Sequence, residues 1–234
     1  MTEITILAVS RLSDGVCVAG ITDDGQWIRP TRPNQNDSWR QLEFDDCKDN
    51  RGHWVLRKGN RVRIHLIKQI PFRAHSEDWL IGDQKPQLVK ELSADDYQAV
   101  CEKFTEESLD EVDCKDAERS LILIHPSKIT SFSFAVEMNW ERQRKYVPRC
   151  NFKLGNRTYL RKGISDLEWR GYGRLVMLKH NDNCLLQASK IFGQNDTKDC
   201  WFTVGRNLLG KGFYILIVGV HLFPVRHFDM DFKR

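Results

Sequence analysis

The sequence predicts a mainly β protein in which two small β-barrels are joined by an acidic, partly helical connector. Three observations carry that reading. Short runs rich in Val, Ile and aromatic residues recur at both ends of the chain, separated by Gly, Asn, Asp and Pro. Only one stretch, 93–104, carries helical spacing strong enough to stand on its own. The net charge reverses sign twice, being +3 over residues 1–75, −9 over 76–120 and +10 over 121–234, for a total of +4.

The N-terminal barrel is expected over residues 1–75. Residues 3–9 (EITILAV), 15–21 (GVCVAGI), 26–29 (QWIR), 53–56 (HWVL) and 61–67 (RVRIHLI) read as five short strands. That number and length suit an OB-like barrel. Val16, Val18 and Ile21 have β-branched strand character, and Asp24-Gly25 supplies the turn of a hairpin whose returning strand presents Trp27 and Arg29. Pro30 and Pro33 remove backbone donors and are expected to stop that strand. Arg29, Thr31 and Arg32 would then sit at a sheet edge or loop mouth. In 61–67, Val62, Ile64 and Leu66 alternate with Arg61, Arg63 and His65. Residues 30–52 form a long polar loop carrying Arg32, Trp39 and Arg40, and loops of that length in a compact domain are functional or disordered.

The connector is expected over residues 76–119. Its helix follows a Ser93 N-cap, with Asp95 and Asp96 in the first turn and Tyr97, Val100, Cys101 and Phe104 at helical spacing. The C-terminal barrel is expected over residues 120–234. Its strands are read from SLILI at 120–124, KITSFSFAV at 128–136, RQRKYVPRCNF, NRTYLRKGIS, GRLVMLKH, CLLQASKIF, CWFTVGRN and GFYILIVGVHLF. The tail VRHFDMDFKR has no pattern and reads as a loosely packed end.

Composition narrows the function classes. Seven cysteines, an odd number with no CxxC pair, argue against a disulfide framework or a zinc ribbon, and the single His180/Cys184 pair cannot complete a four-ligand site. No metal and no cofactor is expected. The longest apolar stretch, 213–223, is interrupted by Gly219 and His221 and falls short of a membrane span, so no membrane association is expected. The N-terminus lacks a basic segment ahead of its apolar run, which points to the cytoplasm. There is no P-loop, GxSxG or HExxH, and Asp45-Asp46 and Asp95-Asp96 read as loop and helix-cap acids. The chain is therefore expected not to be an enzyme, a nuclease of dispersed residues being the one catalytic alternative.

Three motifs carry a resemblance. Cys17-Val18-Ala19-Gly20-Ile21 with Gly25-Gln26-Trp27-Ile28-Arg29-Pro30, the SLILI strand at 120–124, and a C-terminal strand-turn-strand FTVGRNLLGKGFYILIVGV resemble the dual OB-containing domain family of prokaryotes. The first motif is the specific one; Thr31-Arg32 and residues 76–119 depart from the pattern. The resemblance implies two OB-like barrels and nucleic-acid binding, often in bacterial defence or other genetic-conflict settings. It implies no catalytic residues.

OB barrels hold single strands by stacking bases on aromatic rings while Arg and Lys follow the phosphates. In the first barrel the candidates are Trp27, Arg29, Arg32, Trp39 and Arg40, with Arg57, Lys58, Arg61 and Arg63 as phosphate contacts. In the second they are Trp140, Arg142, Arg144, Lys145, Tyr146 and Arg149, followed by Arg157, Tyr159, Arg161, Lys162, Trp169 and Arg170. Each set has a structural alternative. Trp27 can plug the barrel with Arg29 paired to an acid, Trp140 to Arg149 can be a solvated edge strand, and Arg57-Lys58-Gly59-Asn60 can be only a turn. The expected partner is DNA or RNA. The rival readings are an adaptor for a partner effector, nuclease or helicase, and a nucleotide or small-ligand sensor.

Overall fold

β-Branched and aliphatic residues crowd the start of the chain, and Ile4, Ile6, Leu7, Ala8 and Val9 are all buried in β1 (Thr2–Leu12). A strand buried on both faces belongs in the middle of a sheet. The computed structural model describes residues 1–12, 15–32, 41–138, 142–180, 183–187, 191, 199–209, 212–224 and 228–232, and divides them into two units. The first unit comprises Met1–Phe104 with Asp110–Ile122, and the second comprises Thr105–Leu109 with Leu123–Arg234.

In the first unit β1 pairs antiparallel with β2 (Gly15–Ile21) and with β4 (Asn60–Ile64). The register slips between Ile6 and Ala8, and such a bulge increases local twist and lets a sheet curl. Gly20 has a packing reason: a Cβ there would lie 2.6 Å from the Thr5 carbonyl oxygen. The expected hairpin is present, its turn closed by Gly25 donating to the Thr22 carbonyl at 3.0 Å, and β3 (Trp27–Thr31) returns along β2.

Beyond Ile28 the structure departs from the expectation. β3 continues through Pro30 to Thr31 and is an interior strand, because β6 (Asp78–Ile81) pairs parallel with it at Arg29, Pro30 and Thr31. Pro30 costs no bond to β2, whose pairing with β3 covers only Trp27 and Ile28. β5 (Leu66–Gln69) and β7 (Gln87–Glu91) complete a seven-stranded sheet in the order β5-β6-β3-β2-β1-β4-β7. The run 61–67 is thus split between β4 and β5, and 53–56 contributes only a bridge from Trp54 to Lys48.

The acidic stretch is likewise corrected. Residues 76–119 are not a separate linker: β6 and β7 are strands of the first sheet, and α1 (Ala94–Lys103) belongs to the same unit. The helix is the expected one, with the Ser93 hydroxyl accepting from the Asp96 amide at 3.1 Å and Tyr97 and Cys101 buried one turn apart. The boundary expected at residue 75 therefore falls inside a folded sheet.

In the second unit β9 (Lys128–Met138), β10 (Arg144–Leu154), β11 (Arg157–Gly163) and β12 (Asn183–Gln187) form a sheet in the order β11-β10-β9-β12. A second sheet has the order β14-β13-β8, built from β8 (Leu121–Ile124), β13 (Cys200–Leu209) and β14 (Gly212–Leu222). Phe132 and Phe152 from the first sheet meet Phe202 from the second edge-on, at 6.5 and 5.4 Å between centroids.

GRLVMLKH, expected as a strand, is the end of α2 (Leu167–His180). Asp166 explains why: its carboxylate accepts from the Trp169 amide at 2.8 Å, an N-cap bond that starts the helix, and from the Val220 amide of β14 at 2.8 Å. Trp169, Gly173 and Val176 then share the buried face. The helix sits so close at Gly173 that a Cβ would fall 2.1 Å from Phe134 and from the Tyr146 hydroxyl. The tail, expected to be loose, is docked over residues 228–232. The Asp231 amide donates to the Leu167 carbonyl at 2.9 Å, its carboxylate pairs with Arg174 at 2.8 Å, and Phe228 packs on Tyr172 at 4.7 Å.

The fold class is therefore mainly β, as expected, with α2 added to the expected helix α1 among the described residues. Among the described residues no helix is long and apolar enough to cross a membrane.

Asp166→Ala should leave two buried amides unsatisfied and lower the unfolding free energy by about 2–4 kcal/mol. Urea titration followed by Trp fluorescence measures this, and a loss below about 0.5 kcal/mol would contradict the capping role.

Candidate nucleic-acid interface

The first unit carries several of the predicted arginines, but it engages most of them internally. Arg29, in the register position of Asp78, donates from Nε to that buried carboxylate at 2.5 Å. Burial opposes the charge on Arg29, yet the neighbouring acidic groups outweigh it and raise its pKa further. Arg32 is held by Asp46 at 3.0 Å and by Asp83 at 3.0 Å. Arg61 pairs with Glu3 at 3.3 Å and with Asp23, and Arg63 pairs with the same Glu3 at 2.5 Å. Lys58 is buried, Arg57 is half-buried, and Trp27 is half-buried at the start of β3. Trp39 and Arg40 lie outside the described residues.

Beside Arg29 lies a polar network drawn from the acidic stretch. Ser120 donates to Glu77, the His75 Nδ1 and Ser120 Oγ atoms are 2.6 Å apart, and Glu77 and Ser120 are both buried. Burial works to raise the Glu77 pKa, but hydrogen bonds from His75 and Ser120 and the Arg29 charge prevail and hold the carboxyl below its ordinary range. Ser120 is thereby fixed at the entry to β8.

The second unit presents a different surface. Directly opposed residues in an antiparallel pair share a face, so the β9–β10 register assigns both faces of the four-stranded sheet. Phe132, Phe134, Tyr146, Cys150 and Phe152 point into the core. The other face carries Ser131, Ser133, Ala135 and Glu137 along β9, and Asn151, Arg149, Val147 and Lys145 opposite them on β10. Across β9 from β10, Leu185 and Gln187 of β12 stand opposite Ser133 and Ser131. Short side chains in the middle strand thus leave a trough. Its β10 side is polar and basic, and its β12 side carries Leu185, which is 70% exposed. Lys153 and Thr158 extend the face towards β11, where Leu160 is 66% exposed.

Among the predicted residues of this unit, Arg142, Arg144, Lys145, Arg157 and Arg161 are exposed, and Arg149 and Lys162 are half-buried. Three rings and one cation are corrected. Tyr146, Tyr159 and Trp169, expected to face outward, are buried, because each falls on the core side of its strand or helix. Tyr159 stacks on Phe152 at 5.0 Å, and Trp169 packs on Phe132 at 4.6 Å. Arg170 is buried between the Tyr146 ring, 4.9 Å away, and Asp231 at 3.5 Å. Trp140 lies outside the described residues.

Sequence reasoning did not single out Glu137, Ser131, Ser133, Asn151, Leu160 or Leu185. The signal was present in SFSFAVE, where small and aromatic residues alternate and leave a face of short side chains. Among the described residues no group of three or more His, Cys, Asp or Glu could hold a metal ion, and the seven cysteines are free thiols.

The sequence from residue 2 to residue 186 matches the family model described as the dual OB-containing domain. No curated protein matches the chain.

Two stability measurements test the internal pairing of the first unit. Asp78→Ala should strand Arg29 without its carboxylate and cost about 3–5 kcal/mol of unfolding free energy. Glu77, with a depressed folded pKa, contributes stability above the ordinary glutamate value, and this is lost as pH falls through the folded value. Unfolding free energy of the wild type should therefore decline below about pH 4.3. Glu77→Gln should flatten that decline, and an unchanged acid limb would contradict the network.

Proposed function

Because the chain belongs to the dual OB-containing domain family, we propose that it binds nucleic acid, and that the exposed face of the β9–β12 sheet is where it does so. One observation carries the proposal: a trough floored by Ser131, Ser133 and Ala135 runs between a basic border and an apolar one on the sheet face opposite the aromatic core. A nucleotide strand needs cations for its phosphates and flat or apolar surface for its bases. Lys145, Arg149, Lys153 and Arg161 supply the first, and Val147, Leu160 and Leu185 supply the second. The net charge of +10 over residues 121–234 acts in the same direction by raising the local concentration of a polyanion.

The protein is a binding component in the cytoplasm, with covalent chemistry assigned to none of its residues. Defence against foreign genetic elements is the setting that the family resemblance favours. The first unit, whose arginines are tied to Glu3, Asp46, Asp78 and Asp83, contributes less to phosphate binding than its sequence suggests.

Affinity for a labelled single-stranded oligonucleotide should fall steeply as salt rises, because bound Lys and Arg release counterions. Replacing Lys145 and Arg149 together by Ala should reduce the slope of log K against log salt by about 1.4, close to 0.7 for each lost contact. Fluorescence anisotropy over a salt series reads both quantities. An unchanged slope would remove this end of β10 from the interface.

A further inference from the structure

Glu137 is the only carboxylate among the described residues of the trough face, and it stands where two arginines converge. Arg149 presents two donors to it, with Nη2 2.8 Å from Oε2 and Nη1 bonded to Oε1. Arg161 reaches the same Oε1 from Nη2 at 3.4 Å. Lys145 is the register partner of Glu137 on β10, so it lies on the same face. A planar guanidinium meets a carboxylate and a phosphate with the same pair of parallel donors. A site that fits one anion fits the other.

Backbone geometry fixes the second arginine in place. Arg161 has a φ of 52°, a left-handed conformation that is strained for a non-glycine residue. Asn151 stabilises it, its Oδ1 accepting from the Arg161 amide at 2.6 Å where the β10–β11 register slips between Cys150 and Phe152. The slip lets Leu160 and Arg161, neighbours in sequence, both be exposed. The Arg149 side chain is 20% exposed and Arg161 72%, so one fork is seated in the sheet and the other stands in solvent.

We propose that Arg149 and Arg161 form a phosphodiester subsite on the β9–β12 face, and that Glu137 occupies it in the unliganded chain and is displaced when a nucleic-acid strand binds. This rests on the nucleic-acid reading of that face. Hydrogen bonding from Arg149 and the charges of both arginines hold the Glu137 carboxyl below its ordinary range, so it is ionised at neutral pH and competes with phosphate. With one acid against Arg149, Arg161 and Lys145, its departure leaves the site strongly cationic.

The test uses the full chain with labelled oligothymidylate and oligouridylate, in four variants: Glu137→Gln, Arg149→Lys, Glu137→Gln with Arg149→Ala, and Asp199→Asn. The last removes the same charge at an exposed position outside the trough. Thermal unfolding confirms that each variant is folded. Glu137→Gln should tighten binding about tenfold by removing the competing anion, while Asp199→Asn changes it less than about twofold. Arg149→Lys, which keeps the charge but loses the fork, should weaken binding, and the double variant should lose the gain. Wild-type binding that Glu137→Gln leaves unchanged, or that Asp199→Asn improves equally, would overturn the subsite and leave the broader reading of the face standing. Failure of both wild type and Glu137→Gln to retain either oligonucleotide would overturn both.

Discussion

A strand can offer only every second side chain to each side of its sheet, and that two-residue period decides what the second unit does with its sequence. β9 spends one set of positions on Phe132 and Phe134, which anchor the core, and the other on Ser131, Ser133 and Ala135, which leave room above the sheet. β10 follows the same division, sending Tyr146 and Phe152 inward and Lys145 and Arg149 outward. A slip of one residue in either strand would turn the aromatic side chains to water and bury charge. The helix α2 guards against that slip. It packs Gly173 onto Phe134 and Tyr146 with no space for a larger residue, and Asp166 ties its first turn to β14.

Charge in the two units follows different logic. In the first, acidic residues distant in sequence neutralise the arginines: Asp78 takes Arg29, Asp83 takes Arg32, and Glu3 takes both Arg61 and Arg63. These pairs hold distant segments in register, above all the parallel seam between β3 and β6. The Arg29–Asp78 pair is buried and so works as a fixed structural pin, whereas Arg61–Asp23 is largely in solvent and contributes little. In the second unit several cations stay at the surface. A segmental charge count therefore overstated the first unit and placed its acids on the wrong side of a boundary.

What could be read from residues alone was local. The CVAGI hairpin with its Asp24-Gly25 turn, the Ser93-capped helix, the unbroken apolar run at 120–124 and the alternation at 128–136 each rest on a pattern within a short window. The misses are non-local. β6 and β7 have no strong pattern of their own and are strands because β3 and β4 accept them, so their acidic composition pointed to a linker. GRLVMLKH looks strand-like in isolation, and that reading makes no use of Asp166, the cap seven residues upstream. Once that helix was missed, Trp169 and Arg170 were counted as surface groups, although the turn of α2 carries both into the interior.

The family match ends at residue 186, one position before the last residue of β12, whereas the core of the second unit does not close until β13, β14 and residues 228–232 are in place. Phe202 fills the gap against Phe132 and Phe152, the Val220 amide donates to the Asp166 carboxylate, and Phe228 covers Trp169 and Tyr172. A polypeptide trimmed to the limits of sequence similarity would lack a large part of the second unit's greasy interior and leave the Arg170 and Arg174 guanidinium groups without their aspartate. Such a fragment would be sticky and ill-defined in the test tube, so shared ancestry and the minimal piece able to fold alone have different borders in this chain.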